Sequence, residues 1–177
     1  LGKIYGDADP ALTYTITAGA LVSGDTLTGS LARAAGENVG SYAINQGSLN
    51  NPNYTIINTP ANFSITQRSI TITADAVTKT YGSADVLTFT VGGSGLATWD
   101  TNATAFTGVL NRAVGEDVTT GPYAINQGTL ATNANYASTF TGNVLTITPA
   151  PLTVTANATS KVLNTADPLL TYTVSGL

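Results

Sequence analysis

SITITADAV, residues 69–77, sets Ile70 and Ile72 on one face and Thr71 and Thr73 on the other. A period of two belongs to a strand with one side on a core and the other in water. The same alternation returns in LTYTIT (12–17), YAINQG (42–47 and 123–128), ANFSIT (61–66), LTFTV (87–91), VLTIT (144–148) and PLTVTA (151–156). Gly, Asp-Pro, Asn-Pro and Gly-Asp turns break up these runs. Only LVSGDTL (21–27) and LATWDTNA (96–103) invite a helix, and each is too short for more than a turn or two. Thr supplies 32 of the 177 residues, which favours strands further.

Composition removes much chemistry. The chain has no His and no Cys, so it carries no Ser/His/Asp or Cys/His nucleophile and no Cys/His zinc site. Six Lys and Arg against ten Asp and Glu give a net charge of −4 and no basic footprint for phosphates, so nucleic acid is not an expected partner. Hydrophobic residues at 42 % with charged residues at only 9 % indicate a chain that buries a core. No apolar run is long enough for a membrane span, and the first residues, LGKIYGDADP, are not a signal peptide.

The chain repeats itself. GENVGSYAINQGSL (36–49) returns as GEDVTTGPYAINQGTL (115–130). KIYGDADPALTYTI (3–16) returns as KTYGSADVLTFTV (79–91) and again as KVLNTADPLLTYTV (161–174). Counterparts such as Tyr42 and Tyr123, or Lys79 and Lys161, set a period of about 80 residues. The expected division is a first repeat over 1–68 that lacks its opening strand, a complete second repeat over 69–150, and the opening strands of a third over 151–177. Extra residues at 92–104 and 119–122 fall in loops. The junctions, NFSITQRSITITAD (62–75) and VLTITPAPLTVTAN (144–157), contain no flexible Gly/Ser linker and predict a rod. A chain out of phase with its own repeat reads as a window on a longer array; the other reading is a filament subunit completed by strand addition.

IYGDADPALTYTI (4–16), GDTLTGSLARAAGENVGSYAINQGSL (24–49) and the closing NFSIT (62–66), with their second copies, resemble the MBG and YDG-type repeats of large bacterial surface proteins. That group includes adhesins similar to filamentous haemagglutinin. The signature is whole only at Tyr5-Gly6-Asp7; it becomes Tyr81-Gly82-Ser83 and then Leu163-Asn164-Thr165. Its third residue is therefore not an obligate ligand. The resemblance implies a tandem extracellular module at the bacterial cell surface and no enzyme activity.

The expected fold is all-β, with tandem Ig-like β-sandwich modules in a rod; β-grasp-like units with one short helix are the alternative. Tyr42 and Tyr123, each two residues after a glycine (Gly40, Gly121), are expected to be framework residues of the tyrosine-corner kind, with Tyr5 and Tyr81 also structural. Asp7, Asp9 and Asp25 are the calcium candidates, although no DxDxDG loop is present. Arg33 with Glu37, and Arg112 with Glu116, read as exposed ion pairs. Trp99, the single Trp, is the candidate ligand contact. No catalytic residue and no cofactor is expected. The expected role is a stalk or spacer of a secreted adhesin, with neighbouring repeats as its partners. The alternatives are a self-associating filament or biofilm subunit and a module that binds glycan or host protein.

Overall fold

The computed structural model describes residues 1–176, so the last residue of the third repeat lies outside the described residues. The first repeat forms β1 (Gly2–Ile4), β2 (Ala32–Arg33), β3 (Gly40–Asn45) and β4 (Ala61–Thr66). The second begins one residue later with β5 (Arg68–Ala74), β6 (Val77–Thr80) and β7 (Phe89–Gly93), then the single turn α1 (Asn102–Ala105). It continues through β8 (Phe106–Thr107), β9 (Asn111–Arg112), β10 (Tyr123–Asn126), β11 (Ala131–Thr132), β12 (Tyr136–Thr141) and β13 (Asn143–Thr148). The third contributes β14 (Thr153–Ala156) and β15 (Tyr172–Ser175). Among the described residues the protein is all-β apart from that one turn, and Leu21–Leu27 forms no helix.

The second repeat is sandwich-like, with sheets ordered β12-β5-β7 and β6-β13-β10-β9. Alternation in β5 buries Ile70, Ile72 and Ala74 and leaves Ser69 and Thr71 outside. The core continues through Ile125, Leu145 and Ile147, while Leu110 and Phe140 pack against both of its clusters. Two stretches cross from one sheet to the other: β5 into β6 past Asp75 and Ala76, and β12 into β13 past Gly142. They run side by side, so β5 pairs parallel with β12 and β6 pairs parallel with β13. A Cβ on Gly142 would lie 2.7 Å from the Ile125 carbonyl oxygen, which explains a glycine at the crossing.

In the first repeat β1-β4-β3-β2 reproduces β6-β13-β10-β9, again with a parallel β1·β4 pair. The other sheet differs. No counterpart of β5 lies within the described residues of the first repeat, and LTYTIT (12–17), expected as a strand, carries none; nor do residues 54–59, the counterpart of β12. The reason is topological: β5 is the middle strand, and its two neighbours bond to it and not to each other. Alternation supplies a strand-compatible side-chain pattern, but a ladder needs a partner. Ile16 and Ile57 are left exposed.

Candidate functional site

Arg33 and Arg112 begin the structural frame. Each sits in a two-residue strand, β2 or β9, and turns its guanidinium over an aromatic ring, 5.3 Å from the centroids of Tyr42 and Tyr123 respectively. Arg33 Nε donates to Asp9 at 2.5 Å and Nη1 to the Gly36 carbonyl at 2.5 Å, while Nη2 reaches Glu37 at 2.5 Å. Lys3 Nζ meets the same Asp9 at 2.7 Å and also Glu37. The second repeat copies this: Lys79 Nζ lies 2.6 Å from Asp85 and 2.8 Å from Glu116, and Arg112 binds both carboxylates.

The expected Arg33–Glu37 and Arg112–Glu116 pairs are present with half-exposed carboxylates, and each belongs to a larger group. Each of the first two repeats has a four-membered network of two cations and two carboxylates, and the Lys3 and Lys79 side chains are only 5 % and 7 % exposed. Burial of the lysine and arginine stems against the core leaves the carboxylates at the rim. Hydrogen bonds from Arg33 and then Lys3 hold the Asp9 carboxyl down at about 2. Glu37, Asp85 and Glu116 are likewise held below their ordinary values, by Lys3, Arg112 and Lys79 foremost. In the third repeat only Lys161 and Asp167 meet, and both are well exposed.

The tyrosine hydroxyls close this frame. Tyr42 Oη donates to the Asn38 carbonyl and Tyr123 Oη to the Asp117 carbonyl, each at 2.7 Å. The glycines under the rings are Gly36 and Gly115. A Cβ on Gly40 would stand 3.8 Å from the Tyr42 ring, an ordinary contact, and one on Gly121 3.3 Å from that of Tyr123, a tight one. At Gly36 and Gly115 it would meet those rings at 2.4 and 2.3 Å, and their φ values of +136° and +138° are glycine territory. The missed signal was the GE dipeptide at 36–37 and 115–116, identical in both copies.

Asp7, Asp9 and Asp25 do not converge as calcium ligands. Asp7 pairs with Arg68 at 2.9 Å, Asp9 belongs to the cation network, and Asp25 accepts the Tyr54 hydroxyl at 2.6 Å. Among the described residues no three carboxylates are grouped to hold a metal ion.

Tyr5 and Trp99 meet at the junction between the first two repeats. Tyr5 is 4 % exposed, its ring edge-on to both Trp99 and Tyr136. Trp99 Nε1 donates to Tyr5 Oη at 3.1 Å; the Tyr5 and Tyr136 hydroxyls both donate to Asp100 Oδ2, at 2.9 and 2.5 Å. Around this group Arg68 donates to the carbonyls of Tyr5, Ser94 and Gly95, and Gln67 Nε2 to those of Ala134 and Tyr136. Asn135 reaches back to Asn38 and to the Val39 N–H. Trp99 itself is 51 % exposed and edges an open cleft of about 480 Å³ with Lys3, Asp7, Ala8, Asp9 and Glu37. Tyr81, the Tyr5 counterpart, is 48 % exposed in a smaller cleft of about 300 Å³ with Val118, Pro149, Ala150, Pro151 and Leu152.

A repeat stated twice, with both sheets in its second copy and the same tyrosine and ion network in both, defines a tandem all-β repeat protein. The chain belongs to the MBG domain family of the YGX type, whose model matches residues 1–64 and 70–146. The family's signature Tyr-Gly pair is Tyr5-Gly6 in one match and Tyr81-Gly82 in the other. MBG domains are repeat modules of surface proteins. No curated protein and no solved structure gives a match. No helix among the described residues is long and apolar enough to cross a membrane.

Proposed function

We propose that this chain is a stalk segment of a secreted bacterial adhesin, carrying a distal binding region away from the cell surface and catalysing nothing. The observation that supports this reading is the junction at Gln67. One residue separates β4 from β5, and hydrogen bonds from Gln67, Arg68, Trp99 and Asn135 join the two repeats around Tyr5. A link this short and this bonded resists bending, so reach accumulates with copy number. With strands advancing about 3.3 Å per residue, ten strand residues give each module a length of roughly 35 Å.

The test is X-ray scattering from proteins of two, four and six repeats. The reading predicts a maximum dimension that grows linearly with repeat number; growth as the square root would sink it.

A second reading rests on Trp99. A half-exposed indole beside Asp7, Asp9 and Glu37 offers a stacking face and hydroxyl acceptors, the chemistry that recognises a sugar ring. A glycan array probed with the chain and with Trp99→Ala decides it: signal lost in the variant supports binding, and no signal from either counts against it.

A further inference from the structure

We infer that the first two repeats are shear clamps: in each the first and last strand stretches lie parallel, so tension along the stalk loads their whole ladder at once. This deepens the stalk reading and rests on it.

The force path follows from connectivity. The chain enters the second repeat at Arg68 and leaves it at Thr148. The entering stretch, β5 and β6, is registered against the leaving stretch, β12 and β13, through six pairs from Arg68↔Tyr136 to Thr73↔Thr141 and four from Val77↔Leu145 to Thr80↔Thr148. Both stretches run the same way. Pulling the start of one and the end of the other therefore slides them along each other. Parallel ladder bonds are evenly spaced and slanted along the strands, so in sliding they share the load. Opening the same pair from one end breaks them one after another.

Side chains stitch the two stretches at points along their length. Gln67 Nε2 spans to the Tyr136 carbonyl at 3.3 Å near the entry. Asn143 Nδ2 donates to the Ala74 carbonyl at 3.0 Å where the stretches change sheets. Thr148 Oγ1 donates to the Lys79 carbonyl at 3.2 Å near the exit. Lys79 is itself held by Asp85 and Glu116, which ties the entering stretch to the body of the module. The first repeat holds the second half of this arrangement: β1 and β4 are parallel, Gly2↔Ser64 to Ile4↔Thr66, and Thr66 Oγ1 donates to the Lys3 carbonyl at 3.3 Å. A spacer that had only to be long would not need parallel end strands in both copies.

Forced unfolding reads the barrier and not the equilibrium stability, so the direction of pull is the variable to change. The chain has no Cys, which makes paired cysteine handles unique. The experiment is single-molecule pulling of the full 177-residue chain through Ser69→Cys with Pro149→Cys, which shears the clamp. The comparison is Ser69→Cys with Ala134→Cys, which peels β5 from β12 at their common start. All three positions are exposed, and unchanged circular dichroism of both variants establishes that each is folded. At one loading rate the shear pair should rupture at a force at least twofold above the peeling pair. Equal or lower force in the shear geometry overturns the clamp. Length that grows linearly with repeat number would leave the stalk standing even so, and the two readings thus fail separately.

Discussion

The indole N–H of Trp99 donates at 3.1 Å to the hydroxyl of Tyr5, a residue 94 positions earlier in the preceding repeat. The only Trp of the chain is thereby a reporter of the contact between two modules. Arg68→Ala removes donors to Tyr5, Ser94, Gly95 and Asp7 while leaving Ile70 and Ile72 in place. The expected result is a red shift of Trp99 emission and a shorter maximum dimension in scattering, with the second repeat still folded by circular dichroism.

Gly115→Ala places a Cβ 2.3 Å from the Tyr123 ring at a φ of +138°. The expected cost is about 1–3 kcal/mol, read as a lower urea midpoint at unchanged slope. Gly40→Ala, with 3.8 Å to the nearest ring atom, should change the midpoint by less than about 0.5 kcal/mol.

Acid should loosen the protein late. Asp9 titrates at about 2 in the folded chain against an ordinary 3.8, and Glu37, Asp85 and Glu116 are shifted in the same direction. Lowered folded values mean that the unfolded chain binds protons first, so this stability is present above pH about 4 and is lost as pH falls toward 2. Urea midpoints measured from pH 6 to 2 should be flat and then drop. In Asp9→Asn with Asp85→Asn the drop should be smaller, from a lower plateau.

Alkali acts through Tyr136. Burial, reinforced by the carboxylate of Asp100, pushes its hydroxyl up to about 12. A raised folded value keeps the proton on in the folded state, so stability declines as pH climbs from 10 toward 12. Tyr5 and Tyr54 are raised as well, so tyrosinate absorbance should show several late-titrating groups, one of which Tyr136→Phe removes. The same variant strips the buried Ala97 N–H of its acceptor, at a cost of about 1–3 kcal/mol.

How much of this was legible in the residues varies with the kind of contact. Ile70, Ile72 and their Thr neighbours declared β5 because a period of two is a local property. LTYTIT at 12–17 carried the same local property and forms no strand, since whether it pairs depends on a middle strand elsewhere. Lys3, Asp9, Arg33 and Glu37 all recur in step, yet nothing in their spacing tells that the four meet; 34 residues separate Lys3 from Glu37. The glycine that the chain folds under the Tyr42 ring is Gly36, six residues before it, and nothing local to the tyrosine marks that partner. Trp99 stood out as a singular residue, but its partner Tyr5 belongs to another repeat, and no pattern within one repeat could supply it.

The burial of Tyr5 by the loop of the following repeat has a thermodynamic corollary. A module whose tyrosine is capped by a successor gains interface that a module at the far end of a stack does not have. Stability in such an array is a sum of intrinsic and nearest-neighbour contributions. Melting should therefore start at the uncapped end and travel inward, and longer arrays should melt at higher temperatures and over narrower ranges until the interior outweighs the ends.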